Sequence, residues 1–562
     1  MSTLTRKKKP VSMRQVATKV WKPSSQPQPR QAQKSDVNFA FESKVYEWDG
    51  FYGEVAPAIP QMEIELFGPP ERRLPPHGDK FDWDQSVEIL QAKDDTLKIH
   101  PIKSFETAGL HPVMLQNIKL MGYTKPTPIQ KCVIPAIYHN RDVLALTQTG
   151  SGKTAAFLIP IINQLLGKVS LLAAKRPSLN DPRSVVAEPL VAIIVPTREL
   201  AIQIFDEARK FCYRTNIRPA VVYGGADMTA QTRYLGRGCE LLIATPGRIG
   251  AFLREGKALS LTRLRYLVID EVDELITSSF REDIDLILQC SQNMCYGRTR
   301  RLLFSATLPN HVQHAAMGLL SFDHLRFHVG QTGSAVQSIQ QNVYYVDVNK
   351  KHIALLELMR TMPAVRTIIF TNTTSRTETV AKILRKVGVP CVSVHSQRSQ
   401  AERELAFRAF RKGESPVLIT TSLAGRGVDV KNVGHVINYD LPRNQECDIQ
   451  EYVHRIGRTG RIGHDGVASS LFCAGDKNIG SDLANLLLET NQHVPDFLQG
   501  YLPHKVSLSG VLLSQTPGQI VSIASFATGQ SDAQSSQVSS QTMTECVKED
   551  VKDDIPLIDF DS

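Results

Sequence analysis

What the chain lacks narrows its class before any motif is read. No apolar run approaches the roughly 18 to 20 residues a membrane helix requires, and the start shows none of the succession of charged, apolar and small residues that marks a secretory signal. An intracellular protein without a membrane partner is expected. The nine cysteines, scattered from Cys132 to Cys546, include no Cys-x-x-Cys pair. Zinc ribbons and dithiol redox chemistry built on such pairs are therefore excluded, and reduced structural thiols remain. Acids are absent before Asp36, where Arg6, Lys7, Lys8, Lys9, Arg14, Lys19, Lys22, Arg30 and Lys34 carry all the charge. After Ser531 the balance reverses, with Asp532, Glu545, Glu549, Asp550, Asp553, Asp554, Asp559 and Asp561 against Lys548 and Lys552. The basic, Pro/Gln-rich arm has three readings: a tether for a polyanion such as RNA, a solvating tail, or, in Arg6 to Lys9, a nuclear import signal. Its prolines and glutamines argue against an amphipathic mitochondrial presequence.

At 562 residues the chain exceeds one hydrophobic core, so two folded domains with tails are expected. Residues 1–80 are rich in Pro, Gln and Ser and read as a disordered extension. From about residue 100 to 325, short apolar runs alternate with helical stretches: Val143 to Leu146, Val191 to Val195, Ala220 to Tyr223, Leu241 to Ala244, Tyr266 to Ile269 and Arg301 to Phe304. Such runs between helices indicate a parallel sheet covered on both faces. Residues 326–340 read as a linker. A second series, Asn342 to Val346, Thr367 to Phe370, Cys391 to Val394, Val417 to Ile419, His435 to Asn438 and Ala468 to Phe472, implies a second α/β domain over 341–500. Residues 507–562 read as a disordered Ser/Gln-rich acidic tail.

Three motifs carry chemistry. Thr149-Gly150-Ser151-Gly152-Lys153-Thr154 follows an apolar run and fits a glycine-rich turn whose backbone N–H groups and helix N-terminus cradle phosphate. Lys153 would neutralise the β/γ-phosphates and the Thr154 hydroxyl would ligate Mg²⁺. Thr147 stands where the usual pattern has its first glycine, and read singly the segment is an ordinary strand-to-helix turn. Asp270-Glu271-Val272-Asp273 ends another apolar run, where acids are costly unless they hold a metal or do chemistry. Beside the loop, Asp270 is expected to order the magnesium shell and Glu271 to position and deprotonate the attacking water, although an acid pair opening a helix is common. His454-Arg455-Ile456-Gly457-Arg458-Thr459-Gly460-Arg461 supplies paired arginines from the second domain, so hydrolysis should need domain closure.

Together these motifs resemble the DEAD-box RNA helicases of superfamily 2, with Val272 where the name-giving alanine usually sits; the match runs from about residue 100 to 500. The resemblance implies two tandem RecA-like domains, each a parallel sheet flanked by helices, using ATP and Mg²⁺ on RNA. Phe105 and Gly122-Tyr123-Thr124-Lys125-Pro126-Thr127-Pro128-Ile129-Gln130 resemble the Q motif, in which the aromatic stacks on adenine and the glutamine reads its edge; Lys125 falls in the same nucleotide-binding segment. Alone, Gln130 reads as a solvated helix residue. Arg458 and Arg461 resemble the arginine fingers of motif VI, and Asp429 the acid near the ribose. Ser305-Ala306-Thr307, with His454, is expected to couple hydrolysis to RNA. Pro196, Thr197, Arg198, Gly224, Gly225, Thr245, Pro246, Gly247 and Arg248 each follow an apolar strand and form a sequence-tolerant RNA track of backbone, hydroxyl and guanidinium groups. Thr371, Gln400, Arg403 and Thr421 would continue it in the second domain.

Departures from the family's pattern fall at Ser396 and Gln397, in place of Gly-Asp, and at Ser422, in place of Asp. The expected activity is local unwinding of short RNA duplexes or RNP remodelling by a monomer. Residues Leu488 to Leu498 resemble the Vasa-like and translation-initiation helicases, which suggests cytoplasmic translation initiation with translation or RNP protein partners. Alternatives are an ATP-gated RNA clamp with little unwinding, a nuclear helicase in ribosome biogenesis or splicing, and a DNA translocase or other P-loop ATPase.

Overall fold

The computed structural model describes residues 39–48, 56–73, 83, 85–91, 99–148, 150–177, 183–277, 280–292, 297–307, 310–329, 339–361, 365–422, 433–443, 448–460 and 466–502. Two RecA-like α/β lobes account for nearly all of them. The first holds strands β1 (Val87–Gln91), β2 (Val143–Leu146), β3 (Val191–Ile194), β4 (Pro219–Val222), β5 (Leu241–Ala244), β6 (Tyr266–Asp270), β7 (Arg300–Ser305) and β8 (Leu325–Val329). They form one sheet in the order β1-β8-β2-β7-β6-β3-β5-β4. Every pairing is parallel except β1 with β8. The second lobe holds β9 (Ile339–Tyr345), β10 (Arg366–Thr371), β11 (Cys391–Val394), β12 (Val417–Thr421), β13 (Val433–Asn438) and β14 (Gly466–Phe472), ordered β11-β12-β10-β13-β14-β9 and wholly parallel.

Strands β2 to β5 are four residues long and buried at every position, because helices cover both faces and neither alternate side chain meets water. One core layer packs Val143, Ala145, Ile193 and Phe304 under the helices Pro128–Tyr138 and Lys153–Leu166; the other packs Leu144, Ile194, Leu242 and Leu303 against Phe252 and Ile287. Strand order then dictates site placement. The loops leaving neighbours β2, β7 and β6 converge at one part of the carboxyl edge, and those leaving β3, β5 and β4 at the other.

Three expected boundaries change. Residues 39–48 and 56–73, within the segment read as disordered, pack on the first lobe: Phe41, Tyr46, Ala56 and Leu66 are buried, the latter three around Tyr213. Polar anchors accompany them, with Arg209 Nε donating to Lys44 O at 2.7 Å, Arg214 Nε to Ala56 O at 2.6 Å, and Arg218 pairing with Glu47 at 3.0 Å. A few apolar residues spaced through Pro-rich sequence are enough to dock a strap that average composition conceals. Upstream of residue 100, β1 adds an antiparallel edge strand. Residues 326–329 and 339–340 belong to β8 and β9, so the linker shrinks to 330–338, outside the described residues. The basic arm through residue 38 and the acidic tail also lie outside them. Among the described residues no helix is long and apolar enough to cross a membrane.

Candidate active site and RNA face

Between β2 and the helix Lys153–Leu166, Gly150 and Gly152 take φ of 81° and 91°, which side chains resist. A Cβ on Gly152 would also sit 2.5 Å from Gln130 Nε2. Gln130 is fully buried, not solvated: its Oε1 accepts from the Thr127 N–H at 3.0 Å and its Nε2 donates to Gly152 O at 3.1 Å. The glutamine thus closes a capping box at the start of its own helix and buttresses the phosphate loop. Lys153 Nζ donates to Thr147 O at 3.2 Å, and the Thr147 N–H donates to Ser305 O at 3.0 Å, joining the loop to the end of β7. The Thr147 and Ser151 hydroxyls are buried without a protein partner, hydrogen-bonding capacity suited to phosphate and its water. Thr154, partly buried, opens the helix; Thr149 lies outside the described residues.

Asp270 ends β6 at 4% exposure. Burial pushes its carboxyl up and the Lys153 ammonium opposes this, so the acid sits where a cation is wanted. Glu271 follows at φ 53°, left-handed backbone that costs a non-glycine residue about 1–2 kcal/mol. Its N–H donates to Asp270 Oδ1 at 3.0 Å. Burial raises the Glu271 carboxyl too, and Arg458 of the second lobe is the strongest neighbour drawing it down, ahead of His454. A raised carboxyl beside a guanidinium suits a base that must hold its proton part of the time. Asp273 ties the coupling residues together: Thr307 Oγ1 donates to Asp273 Oδ2, and His454 Nε2 lies 3.5 Å from that oxygen. Ser305 Oγ donates to Thr307 O at 2.6 Å. Arg458, 4% exposed, donates from Nε to His454 O at 3.0 Å. Val272 is buried in the core, which accepts its branched side chain. Arg461 and Asp429 lie outside the described residues.

On the adenine side two expectations change. Phe105 is only 2% exposed and meets Tyr123 edge-on at 6.5 Å, so the more exposed ring of the two is that of Tyr123. Phe105 and Tyr123 line a cavity of about 440 Å³ with Arg73, Leu115 and Gly122. Lys125 Nζ lies 4.1 Å from the centroid of Trp83, whose carbonyl accepts from Lys131 Nζ at 3.0 Å, so its ammonium rests on an indole face.

Along the other half of the sheet edge, Pro196 precedes Thr197, which caps the helix Arg198–Phe211 by accepting from the Leu200 N–H. The Gly224 N–H donates to Thr245 Oγ1 at 3.3 Å, and a Cβ on Gly225 would strike Arg198 Nη1 at 2.2 Å. Pro246, Gly247 and Arg248 form the first turn of the next helix; Arg248 Nη2 donates to Ala226 O while its Nη1 is buried without a partner. Burial lowers both Arg198 and Arg248 from the ordinary arginine value. Two half-buried guanidiniums beside bare glycine backbone form a surface for phosphate and sugar.

Second-lobe expectations fare differently. Thr371 is fully buried and its hydroxyl pairs with Thr377 Oγ1 at 2.7 Å, so it fixes a strand-to-helix turn and offers nothing to RNA. Gln400 and Arg403 face the first lobe: Arg198 Nη1 donates to Gln400 Oε1 at 2.9 Å, and Arg403 pairs with Glu199 at 2.5 Å, both nearly fully buried. Thr421, partly buried, ends β12. Arg455 went unread in the sequence, yet organises the lobe. It donates to Glu451 at 2.5 Å, Asp440 O at 2.6 Å, Asn372 Oδ1 at 3.0 Å and Ser422 Oγ, over the ring of Phe370. Glu451 balances the charge where Ser422 carries none. Glu378 likewise gathers His395, Arg398 and Ser393; those donors outweigh the effect of burial and hold its carboxyl at about 2. Ser396 and Gln397 stay exposed.

This geometry defines a two-lobed nucleotide-driven motor, with loop and acids on one lobe and a guanidinium from the other. Comparison with known proteins makes the class specific. Residues 127–315 match the DEAD/DEAH box helicase family and residues 350–463 the helicase conserved C-terminal domain, together more than half of the chain. S. cerevisiae Dbp5 bound to RNA and ADP BeF3 is 27% identical over 71% of this chain and 98% of its own, with a TM-score of 0.59. Mss116p with its NTE and C-tail deleted, bound to ssRNA and AMP-PNP, is 26% identical over 73% and 82%, also at 0.59. A DEAD box protein from the hyperthermophile Methanococcus jannaschii is 30% identical over 70% and 98%, at 0.40. The chain belongs to the DEAD-box helicase family and is an ATP-dependent RNA helicase, a hydrolase.

Proposed function

We propose that the chain separates short RNA duplexes locally, or remodels RNP, by closing its two lobes around ATP and one RNA strand and reopening after hydrolysis. The observation that carries this reading is the meeting of the lobes at the acids, where His454 Nε2 lies 3.5 Å from Asp273 Oδ2 and Arg458 draws the Glu271 carboxyl down, beside the cross-lobe contacts of Arg198 and Arg403. Glu271 orients and deprotonates the attacking water. Lys153 meets the β/γ-phosphates, and Arg458, with Arg461, spreads charge over the transferring group. Thr154 and Asp270 would hold Mg²⁺, which when bound neutralises phosphate oxygens; a buried acid countered chiefly by Lys153 fits such an ion. Tyr123 takes the adenine beside the phosphate loop that Gln130 buttresses, and Asp429 the ribose. Pro196 to Arg198, Gly224, Gly225 and Thr245 to Arg248 hold RNA backbone with little base preference, in single strands and short duplexes.

Work in cytoplasmic translation initiation is proposed on the resemblance of residues 488–498 alone. Several of those residues serve the second lobe itself: Gln492 Oε1 accepts from the Gln341 N–H at 3.0 Å and Leu498 is fully buried. ATP turnover with and without single-stranded RNA, followed by release of a labelled strand from a short duplex, tests the reading. Stimulated turnover with ATP-dependent release is expected. Stimulation without release would identify an ATP-gated clamp instead.

A further inference from the structure

Tyr223, immediately after β4 and ahead of Gly224-Gly225, belongs to none of the motifs, yet its hydroxyl joins three parts of the chain. The side chain is fully buried, and its ring lies 6.0 Å from that of Phe41 in the docked N-terminal strap. Phe41, 1% exposed, stacks on Phe39 at 5.4 Å and tilts against Tyr234 at 6.1 Å, which pins the short turn Ala40–Glu42. From that turn the Ala40 N–H donates to Tyr223 Oη at 3.3 Å, and Tyr223 Oη donates to Glu404 Oε1 of the second lobe at 3.0 Å. The same Glu404 oxygen accepts from Gln400 Nε2 at 3.1 Å, and Gln400 is the residue that receives Arg198. A phenol has one hydrogen and two lone pairs; with a lone pair engaged from the strap side, its hydrogen is directed to the other side, where Glu404 arrives. A donor fixed before contact loses little freedom when the contact forms.

We propose that Tyr223 is a positioning residue for lobe closure, and that the strap 39–48 is a working part of the clamp because it holds the Tyr223 hydroxyl ready for Glu404. The Ala40–Tyr223 contact lies within the first lobe and its strap, whereas the Tyr223–Glu404 bond requires both lobes. The inference rests on the reading that ATP and RNA drive closure.

Three single variants of the full chain test it: Tyr223→Phe, which keeps the ring and removes the hydroxyl; Glu404→Gln, which keeps an accepting carbonyl; and Ala40→Pro, which removes one N–H. Proline is tolerated there, because Ala40 opens a helical turn and Phe39 before it is already extended at ψ 151°. The readout is the concentration of a short single-stranded RNA that half-maximally stimulates ATP turnover, beside turnover without RNA. Tyr223→Phe should raise that concentration by about 3- to 10-fold, the reach of one side-chain hydrogen bond. Ala40→Pro should shift it less in the same direction, and Glu404→Gln should stay within about 2-fold. RNA-free turnover should not change in any of them. An unshifted Tyr223→Phe, or one that loses RNA-free turnover equally, overturns the inference. A native chain not stimulated by RNA would instead overturn the closure reading, and this inference with it.

Discussion

Replacing Arg403 by methionine should uncouple ATP from RNA without touching either ligand. Arg403 and Glu199 meet at 2.5 Å across the lobes, their side chains 10% and 3% exposed. Burial pushes the Glu199 carboxyl up, and the Arg403 guanidinium is the strongest group holding it down. Without Arg403, closure would carry a carboxylate out of water with its principal counter-ion gone, whereas separating the lobes would return it to water. The cost therefore falls on closure alone. Breaking a buried pair costs about 3–5 kcal/mol; the lower end applies here because Arg198 also draws the Glu199 carboxyl down. About 3 kcal/mol corresponds to roughly 150-fold in the closure equilibrium. The assay is RNA affinity by fluorescence anisotropy with and without a non-hydrolysable ATP analogue. Arg403→Met should lose most of the tightening the analogue confers while keeping ATP affinity, and adding Glu199→Gln should restore part of it by removing the stranded charge. Full analogue-dependent tightening in Arg403→Met would refute the argument that this pair is buried by closure.

Three further outcomes follow from the same geometry. Glu271→Gln should leave ATP binding intact, reduce turnover by about 10² or more and prolong RNA retention; unchanged turnover would count against its role as base. Gly152→Ala, which combines φ 91° with a Cβ 2.5 Å from Gln130 Nε2, should weaken ATP binding by at least about 5-fold in a fluorescent-nucleotide titration, since the strain exceeds about 1 kcal/mol. Burial lifts the Glu404 carboxyl from 4.5 to about 7, with Glu199 pushing the same way and Gln400, Tyr223 and Arg403 opposing. Because this pKa is raised in the closed form, its stabilisation is complete below about 4.5 and is lost as pH rises through about 7. Analogue-dependent RNA affinity should accordingly weaken across that window in the native chain and stay flatter in Glu404→Gln; parallel profiles would contradict the assignment.

The strands were legible because β2 to β5, and β6 up to its final Asp270, are apolar runs, a pattern that burial on both faces imposes, and the loops at their carboxyl ends could be read from glycine, lysine and paired acids. What escaped has particular causes. The docking of residues 39–48 and 56–73 depends on a few residues such as Phe41, Tyr46 and Leu66 set among prolines, below the level that composition registers. Gln400 and Arg403 were read as RNA ligands from their resemblance to the family's motif; only tertiary structure shows that Arg198 and Glu199 meet them. Their spacing with Glu404 on one helical face, three and four residues apart, was the available sign of a shared partner. The resemblance assigns the adenine-stacking ring to Phe105; burial, which sequence does not show, leaves Tyr123 the more exposed of the two. Arg455, embedded between His454 and Arg458, was masked by its neighbours' better-known chemistry.

The central claim is that one ATP pocket is completed by a guanidinium from the second lobe. Single-turnover hydrolysis by Arg458→Ala with RNA saturating, alongside ATP affinity, tests it most directly. Hydrolysis should fall by about 10³-fold or more, with ATP affinity held by the first lobe within about 3-fold of the native value. Native hydrolysis rates in Arg458→Ala would contradict the account.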